Sequence, residues 1–359
     1  MRRFLIPFAV VLTLSCCTTQ VKYPQVAAHR GCHLGTLVPE NSLWGVEMAQ
    51  RFGYPSVEID VKYTLDSVMV IMHDGTINRT MRNASDYSVI EQPVRVSETT
   101  FEELRSKYVL ASDDPAHREP IPTLEEILRQ CMDYGIHPIL HSHLDSSYVV
   151  AQAMLGDEWT CFTSNFDNVI FARSISNCDV LYDPDRLPAD ETAAKLAPCG
   201  GNLGMSTMKY DMLDGAYIAK MHEAGMVCQS SIFPSPHEAD AILDGADIIL
   251  SDFCWLQGES SNPLLSWKER KLKLNPDNDF LYRWNQELEF GAVTVELEVV
   301  SGKAVLTVND TYVYEIPREG RGNKVVLGFR GHEFVPSVTI EVPEGECVIK
   351  GLSVKCYDL

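Results

Sequence analysis

The chain of 359 residues is long enough for two or three domains, and its hydrophobic content of 45% is that of an ordinary globular protein. Its formal net charge of −20 argues against nucleic acid or an anionic membrane face as an electrostatic partner. An anionic substrate therefore needs local positive charge, either from a bound metal ion or from an arginine such as Arg30.

The N-terminal segment, residues 1–25, is typical of an exported protein. A basic start precedes an apolar run from Phe4 to Leu14 that is too short to span a bilayer comfortably. The run ends in Ser15-Cys16-Cys17, which resembles the lipobox of bacterial lipoproteins. We therefore expect a signal peptide and tether, with lipidation of Cys16 or alternatively Cys17. The protein would then be a bacterial lipoprotein anchored to a membrane at its periplasmic or cell-surface face. A plain signal peptide with incidental cysteines is the alternative.

Residues 26–258 alternate short β-like runs with helical stretches. Repeated strand–helix units predict an α/β fold of the TIM-type (β/α)8 barrel class, with an open doubly wound sheet as the alternative. Residues 75–118 are polar, with one short helix predicted at 100–107, and we expect them to be an insertion over the strand ends. The chain has no glycine-rich phosphate loop of the GxGxxG or GxxxxGKS type.

The composition changes after Gly258. Residues 259–278 are polar and predict a linker, whereas residues 279–359 alternate in the manner of strands separated by turns, which is typical of a small all-β sandwich. Such a domain could bind carbohydrate or could pack on the barrel. Three of its aromatic residues could form a stacking platform for a sugar: Trp284, Tyr312 and Tyr314.

Two acidic residues stand out in the first half of the chain. Glu58 and Asp60 are two positions apart in an apolar run, so a strand places them on the same face. A second apolar run, residues 68–72, follows too closely for a crossover helix, so the two runs predict a hairpin that ends in His73. Paired carboxylates beside a strand-end histidine indicate a hard-metal site with a general acid or base, and His29 adds a second histidine.

Six short motifs occur in a characteristic order. They are His29-Arg30-Gly31, Pro39-Glu40-Asn41-Ser42, Glu58-x-Asp60, His73-Asp74, Arg79-Thr80 and Ile121-Pro122-Thr123-Leu124-Glu125-Glu126. Together they resemble the glycerophosphodiester phosphodiesterase family, strongly over residues 26–126 and more thinly to residue 258. The resemblance implies a TIM-barrel enzyme with one divalent metal ion, usually calcium or magnesium. It also implies hydrolysis of a glycerophosphodiester to glycerol 3-phosphate and an alcohol.

The resemblance also implies roles for individual residues. His29 and His73 match the family's acid–base pair, although the sequence does not say which histidine is the acid. Arg30 matches its phosphate-binding arginine, and Glu58 and Asp60 match metal ligands. Glu40 and Asn41 match two further positions of the family, which shape the first loop. Glu40 could also hydrogen-bond the substrate.

The sequence departs from the family at a third metal ligand. The family has a glutamate there and a lysine two positions later, whereas the matching residues here are His141 and His143. We expect His141 to be a metal ligand, and an imidazole favours zinc, manganese or another transition metal over calcium. We expect His143 to take the place of the lysine near the phosphate if it is protonated.

Two other functions remain open at this stage. The changes at residues 141 and 143 would suit a catalytically altered barrel that binds a phosphodiester or a glycan. A phospholipase D-like enzyme that releases a cyclic phosphate by internal attack is the second alternative.

Overall fold

The computed structural model of this protein describes residues 24–233, 235–256, 263–317 and 323–359. The expected signal peptide, with Cys16 and Cys17, and Gly258 lie outside the described residues. Within these ranges, no helix is both long and apolar enough to cross a membrane.

The first part of the chain alternates strands with helices. In chain order its elements are β1 (Gln25–Ala28), α1 (Leu43–Arg51), β2 (Ser56–Tyr63), β3 (Met69–Ile71), β4 (Met81–Asn83), α2 (Phe101–Lys107), β5 (Tyr108–Leu110), α3 (Leu124–Tyr134), β6 (His137–His141), α4 (Asp145–Leu155), β7 (Thr160–Thr163), α5 (Phe166–Ile175), β8 (Asp179–Tyr182), α6 (Ala189–Leu196), β9 (Leu203–Thr207), α7 (Gly215–Glu223), β10 (Val227–Ser231), α8 (Ser235–Asp244) and β11 (Ile248–Ser251).

Eight of these strands form a closed parallel barrel, in the order β1, β2, β6, β7, β8, β9, β10 and β11. The barrel closes because β1 pairs in parallel with both β11 and β2. The prediction of a TIM-type barrel is therefore confirmed, and the open doubly wound sheet is excluded. In this fold, residues at the C-terminal ends of several strands meet at one mouth.

Local sequence signals place the elements around this mouth. β3 pairs antiparallel with β2, which confirms the predicted hairpin. The helix predicted at 100–107 forms as α2, and Thr100 caps it by accepting a hydrogen bond from the backbone N–H of Glu103. Thr123 and Glu126 form a reciprocal capping box at the start of α3. Residues 75–118, the expected insertion, contain β4, α2 and β5 and contribute most of a separate small core.

The C-terminal part is all β. Its strands are β12 (Leu265–Leu274), β13 (Phe280–Arg283), β14 (Leu288–Ser301), β15 (Ala304–Val308), β16 (Tyr312–Ile316), β17 (Lys324–Phe334), β18 (Ser337–Glu341) and β19 (Cys347–Asp358). They form two four-stranded antiparallel sheets, β12-β19-β14-β17 and β13-β18-β15-β16, with a hydrophobic core of their own. The predicted sandwich is confirmed.

The expected linker at 259–278 is wrong for residues 265–274, which form β12. β12 is an edge strand, and its exposed side chains are those of Ser266, Lys268, Arg270, Lys271 and Lys273. Charged side chains of this kind protect an edge from pairing with other chains, and they give a strand the composition of a loop.

The sandwich packs closely on the barrel. α8 contacts β16 and β17, and Trp255, just after β11, is buried against Tyr357 of β19. A Cβ atom at Gly328 of β17 would collide with the backbone carbonyl of Trp255. Only glycine allows β17 to approach the barrel so closely at this position.

Candidate active site

Two carboxylates and one imidazole meet inside the barrel mouth. Glu58 and Asp60 lie on the same face of β2 and are only 1% and 4% exposed. His141, at the end of the adjacent strand β6, is the register partner of Asp60. Its Nδ1 lies 3.1 Å from Asp60 Oδ1 and 3.5 Å from Glu58 Oε1. The two strands thus bring together three residues that could hold a metal ion, and all three were predicted ligands.

The electrostatics of this cluster favour a cation. Burial lowers the pKa of His141, but the hydrogen bonds and charges of Asp60 and Glu58 outweigh it and raise the pKa to about 10. Burial likewise raises the pKa of Asp60, while its contacts with His141 and Asn41 bring the pKa below its usual value. Two carboxylate oxygens and one imidazole nitrogen are a suitable donor set for a divalent transition metal. The residues therefore fit the ion that the sequence implied.

The loop after β1 wraps around the two carboxylates. The backbone N–H of Arg30 donates to Glu58 Oε2 at 3.0 Å, with Arg30 in the left-handed region at φ 51°. Asn41 donates from Nδ2 to Asp60 Oδ2 at 3.0 Å, and its Oδ1 accepts from the backbone N–H of Asp60. Asn41, expected to shape the loop, also fixes the orientation of a predicted metal ligand.

Arg30 points its guanidinium at the same acidic groups. Its Nη1 donates to Glu40 Oε1 at 3.0 Å, and its Nε lies 3.6 Å from Asp60 Oδ2. This Nε is buried and makes no hydrogen bond within the described part of the chain. A buried donor without a partner is costly, so the Nε–H is well suited to bind an anionic ligand.

His73 is held by a network that includes a residue without a predicted role. His73 Nδ1 lies 2.8 Å from Asp74 Oδ1. Arg79 donates to Asp74 from Nε at 2.7 Å and to Glu40 from Nη1 at 2.6 Å. Hydrogen bonds from Arg79, and to a lesser extent from His73, keep the pKa of Asp74 well below its usual value despite desolvation. Arg79 therefore ties the loop of His73 to the loop of Arg30.

His29, just after β1, is also held by a carboxylate, which comes from the loop after the neighbouring strand β11. Its Nδ1 lies 2.6 Å from Asp252 Oδ1, and His33 Nε2 lies 2.9 Å from the same oxygen. These three residues are a second group that could hold a metal ion, but their mutual hydrogen bonds already account for the arrangement. Neither Asp252 nor His33 had a predicted role.

Asp252 controls the charge of His29. Burial lowers the pKa of His29, but the hydrogen bond to Asp252 and the negative charges of Glu58 and Asp252 outweigh it, so the pKa is raised overall. Burial raises the pKa of Asp252, while its hydrogen bonds to His29 and His33 lower it far more. An ionised Asp252 thus stabilises a protonated His29.

His143 lies beside the cluster, on the side of strand β7. Its Nδ1 is 3.2 Å from Thr163 Oγ1, and its ring centroid is 5.9 Å from that of His141. Burial and the charges of His141 and Lys62 lower the pKa of His143. The lowered pKa disfavours the protonated form that His143 would need in order to take the place of the family's lysine.

One buried arginine of the sandwich reaches the loops at this mouth. Arg330 of β17 is fully buried, and its Nε donates to Tyr54 Oη at 2.5 Å while its Nη1 donates to the carbonyl of His33 at 3.1 Å. Its backbone N–H donates to the carbonyl of Phe253, the residue after Asp252. Sequence reasoning missed Arg330 because its partners are nearly 300 positions away in the chain.

One known protein family matches the barrel part of this chain. Over residues 29–233 the chain matches the glycerophosphoryl diester phosphodiesterase family. The match covers more than half of the chain, and the protein belongs to this family.

Several relatives are similar over parts of the chain. Human glycerophosphodiester phosphodiesterase 1 is 32% identical over 131 residues, which are 34% of this chain and 36% of the human protein. An Oleispira antarctica phosphodiesterase, solved with the product sn-glycerol-3-phosphate, has a TM-score of 0.52 and 22% identity, covering 64% of this chain and 93% of that one. A Parabacteroides distasonis glycerophosphoryl diester phosphodiesterase has a TM-score of 0.50 and 24% identity, covering 65% and 84%.

The solved structures and the curated relatives are similar to this chain in different respects. The two structures share the barrel fold with this chain. The chain spans between 30% and 40% of the length of the mammalian relatives that it matches.

We predict that Asp252→Asn lowers the pKa of His29 in the metal-free protein. Asparagine can still accept a hydrogen bond from Nδ1, but it removes the negative charge that favours the imidazolium. NMR titration of the labelled histidine ring measures the pKa directly. In the matched variant His33→Gln the charge of Asp252 is kept, so the pKa of His29 should stay raised. An unchanged pKa in Asp252→Asn would contradict the role given to Asp252.

Proposed function

We propose that this protein is a metal-dependent phosphodiesterase that hydrolyses glycerophosphodiesters to glycerol 3-phosphate and an alcohol. The observation that carries the proposal is the Glu58–Asp60–His141 cluster with the guanidinium of Arg30 beside it. Family membership supports the same reaction class, and the product seen in the Oleispira antarctica structure supports the same type of substrate.

Arg30 would bind the phosphoryl group. A phosphodiester is an anion that repels nucleophiles, and a planar guanidinium neutralises charge on its oxygens through directed hydrogen bonds. Glu40 accepts hydrogen bonds from both Arg30 and Arg79, so it holds Arg30 in place. Glu40 is thus a positioning residue in this account.

His29 and His73 would move the protons. Each has its Nδ1 against a carboxylate, Asp252 or Asp74, which favours the tautomer with a proton on Nδ1 and leaves Nε2 for the substrate. One Nε2 accepts the proton of the attacking water, and the other donates a proton to the departing alkoxide. One water is consumed, and the products are a phosphomonoester and a neutral alcohol. General acid–base help of this kind is worth about 10²–10⁴-fold.

Glu58, Asp60 and His141 would hold the metal ion. A divalent ion there would supply Lewis-acid stabilisation of the charge on the phosphoryl oxygens. The family resemblance implies calcium or magnesium, whereas the imidazole of His141 favours zinc or manganese. His143 would act as a neutral hydrogen-bonding group toward the phosphate.

We predict metal-dependent release of glycerol 3-phosphate from simple glycerophosphodiesters by residues 21–359. EDTA should abolish the release, and added calcium, magnesium, manganese or zinc should restore it to different extents. His73→Ala should lower kcat by about 10²–10⁴-fold because one proton transfer is lost. His222→Ala is the matched control, since His222 pairs with Asp247 on the surface away from this site.

Two results would contradict this account. Release that persists in EDTA would show that the reaction does not require a metal ion. An unchanged kcat in His73→Ala would show that His73 is not an acid or base in the reaction. A cyclic phosphate product would identify internal attack instead of hydrolysis.

His141→Glu, which restores the family's glutamate, should move the preferred ion toward calcium or magnesium, and bound metal measured by mass spectrometry should follow the same order.

We also propose that the protein is exported and anchored to a membrane by a lipid on Cys16. The support is the basic and apolar run that ends in Ser15-Cys16. Wild-type protein should incorporate labelled palmitate and fractionate with membranes, and Cys16→Ala should do neither. Label that persists in Cys16→Ala and disappears in Cys17→Ala would place the lipid on Cys17. Unlabelled wild-type protein would contradict the anchor.

A further inference from the structure

A cleft of about 840 Å³ lies where the barrel, the insertion and the sandwich meet. We call it the interdomain cleft. Its walls come from residues 34–37 after β1, from Asp113 and Asp114 of the insertion, from Phe253, and from β16, β17 and the turn before β16. A volume in the range of about 300–1,000 Å³ is typical of small-molecule sites, which occur preferentially between domains.

The interdomain cleft adjoins the histidines of the candidate active site. Leu34 follows His33 in the chain, and Phe253 follows Asp252, so both lining residues are next to members of the His29–His33–Asp252 group. Arg330 lines the cleft and donates to the carbonyl of His33. A substrate group that extends from the phosphate past His29 and His33 would therefore enter this cleft.

One wall of the interdomain cleft is a row of aromatic rings. Phe253 of the barrel contacts Tyr312 of β16 at 6.1 Å between ring centroids. Tyr312 contacts Phe329 at 5.0 Å, and Phe329 contacts Phe334 at 5.5 Å. Phe253 is 46% exposed, so the row is open to solvent at the barrel end. Exposed aromatic faces of this kind pack against the apolar faces of ring-shaped ligands.

Polar groups with oxygen acceptors line the same cleft. Asp113 accepts a hydrogen bond from the Thr36 hydroxyl, and Asp114 accepts one from the backbone N–H of Ala116 at 2.9 Å. These bonds fix the two carboxylates and leave each with further lone pairs. Asn309 and Thr311 add an amide and a hydroxyl from the sandwich. The set suits a ligand that carries several hydroxyl groups.

Charge and size narrow the class of ligand. Asp113, Asp114 and Glu333 make the cleft acidic. Arg330 uses Nε and Nη1 for Tyr54 and His33, and its Nη2 is buried without a hydrogen bond within the described part of the chain. Three carboxylates against one guanidinium disfavour a second anionic group on the ligand. A small ammonium group would leave most of the cleft filled with water, whereas a sugar ring can contact both the aromatic wall and the polar groups.

We propose that the interdomain cleft binds the alcohol group of the substrate, and that this group is a sugar or another hydroxyl-rich ring. The proposal rests on the proposed function, because it extends the same substrate beyond the phosphate. It gives the sandwich a part in substrate selection. Of the three aromatic residues expected to form a sugar platform, Tyr312 lines the cleft, whereas Tyr314 is buried behind it at 16° to the Tyr312 ring.

The test compares two esters of sn-glycerol 3-phosphate, one formed with the 6-hydroxyl of methyl glucoside and one with ethanol. Wild-type protein should show a kcat/KM at least about 10-fold higher for the glucoside ester, because only this ester reaches the aromatic wall. Tyr312→Ala should lower kcat/KM about 10-fold for the glucoside ester and leave the ethyl ester within about 2-fold, since the lost contact is with the sugar alone.

Two matched variants separate stacking from folding. Tyr312→Phe keeps the ring and should retain most of the preference for the glucoside ester. Val313→Ala changes the next residue of β16, which is 56% exposed and does not line the cleft, and it should alter neither ester. Equal losses on both esters in Tyr312→Ala, or equal kcat/KM values for the two esters in the wild type, would overturn the proposal.

Two further outcomes are distinguishable. A preference for glycerophosphocholine that Tyr312→Ala removes would overturn the hydroxyl-rich class in favour of a cation. If the wild type hydrolyses no ester, the proposed function fails. Binding of methyl glucoside, measured by saturation-transfer NMR, then tests whether the cleft is a sugar site independently of hydrolysis. A signal that Tyr312→Ala removes would support the cleft as a sugar site, and no signal in the wild type would overturn it.

Discussion

Two carboxylates buried side by side are the constraint on which the rest of the site depends. Glu58 and Asp60 lie on one face of β2 with almost no exposure. Neighbouring buried anions are unfavourable unless cations and hydrogen-bond donors surround them. The barrel supplies His141 from the next strand, and the first loop supplies Asn41 and the backbone N–H of Arg30. A divalent ion would complete this compensation, and the guanidinium of Arg30, 3.6 Å from Asp60 Oδ2, adds a further positive charge.

The sandwich is joined to this site by a second buried charge. Arg330 is fully buried, and an unpaired buried cation would be strongly destabilising. Its contacts with Tyr54 and with the carbonyl of His33 bind β17 to the loop that carries the histidines. The close approach at Gly328 and the buried Trp255 reinforce the same interface. The sandwich is thus packed against the end of the barrel that carries the candidate active site, not as a separate tethered module.

Local patterns in the sequence predicted most of the fold and one side of the site. Alternation along β2 placed Glu58 and Asp60 together, and short spacing predicted the β2–β3 hairpin. The contacts of Asp252 and Arg330 could not be predicted, because they join residues more than 200 positions apart and follow only from barrel closure and domain packing. β12 was mistaken for a linker because an exposed edge strand has the composition of a loop.

The most direct test of the account is anomalous diffraction from crystals soaked with manganese and glycerol 3-phosphate. We predict one manganese peak within coordination distance of Glu58, Asp60 and His141, with the phosphate against the Arg30 guanidinium. We also expect Nε2 of His29 or of His73 to face a phosphate oxygen. A manganese peak at His29, His33 and Asp252 instead, or a phosphate bound away from Arg30, would contradict the account.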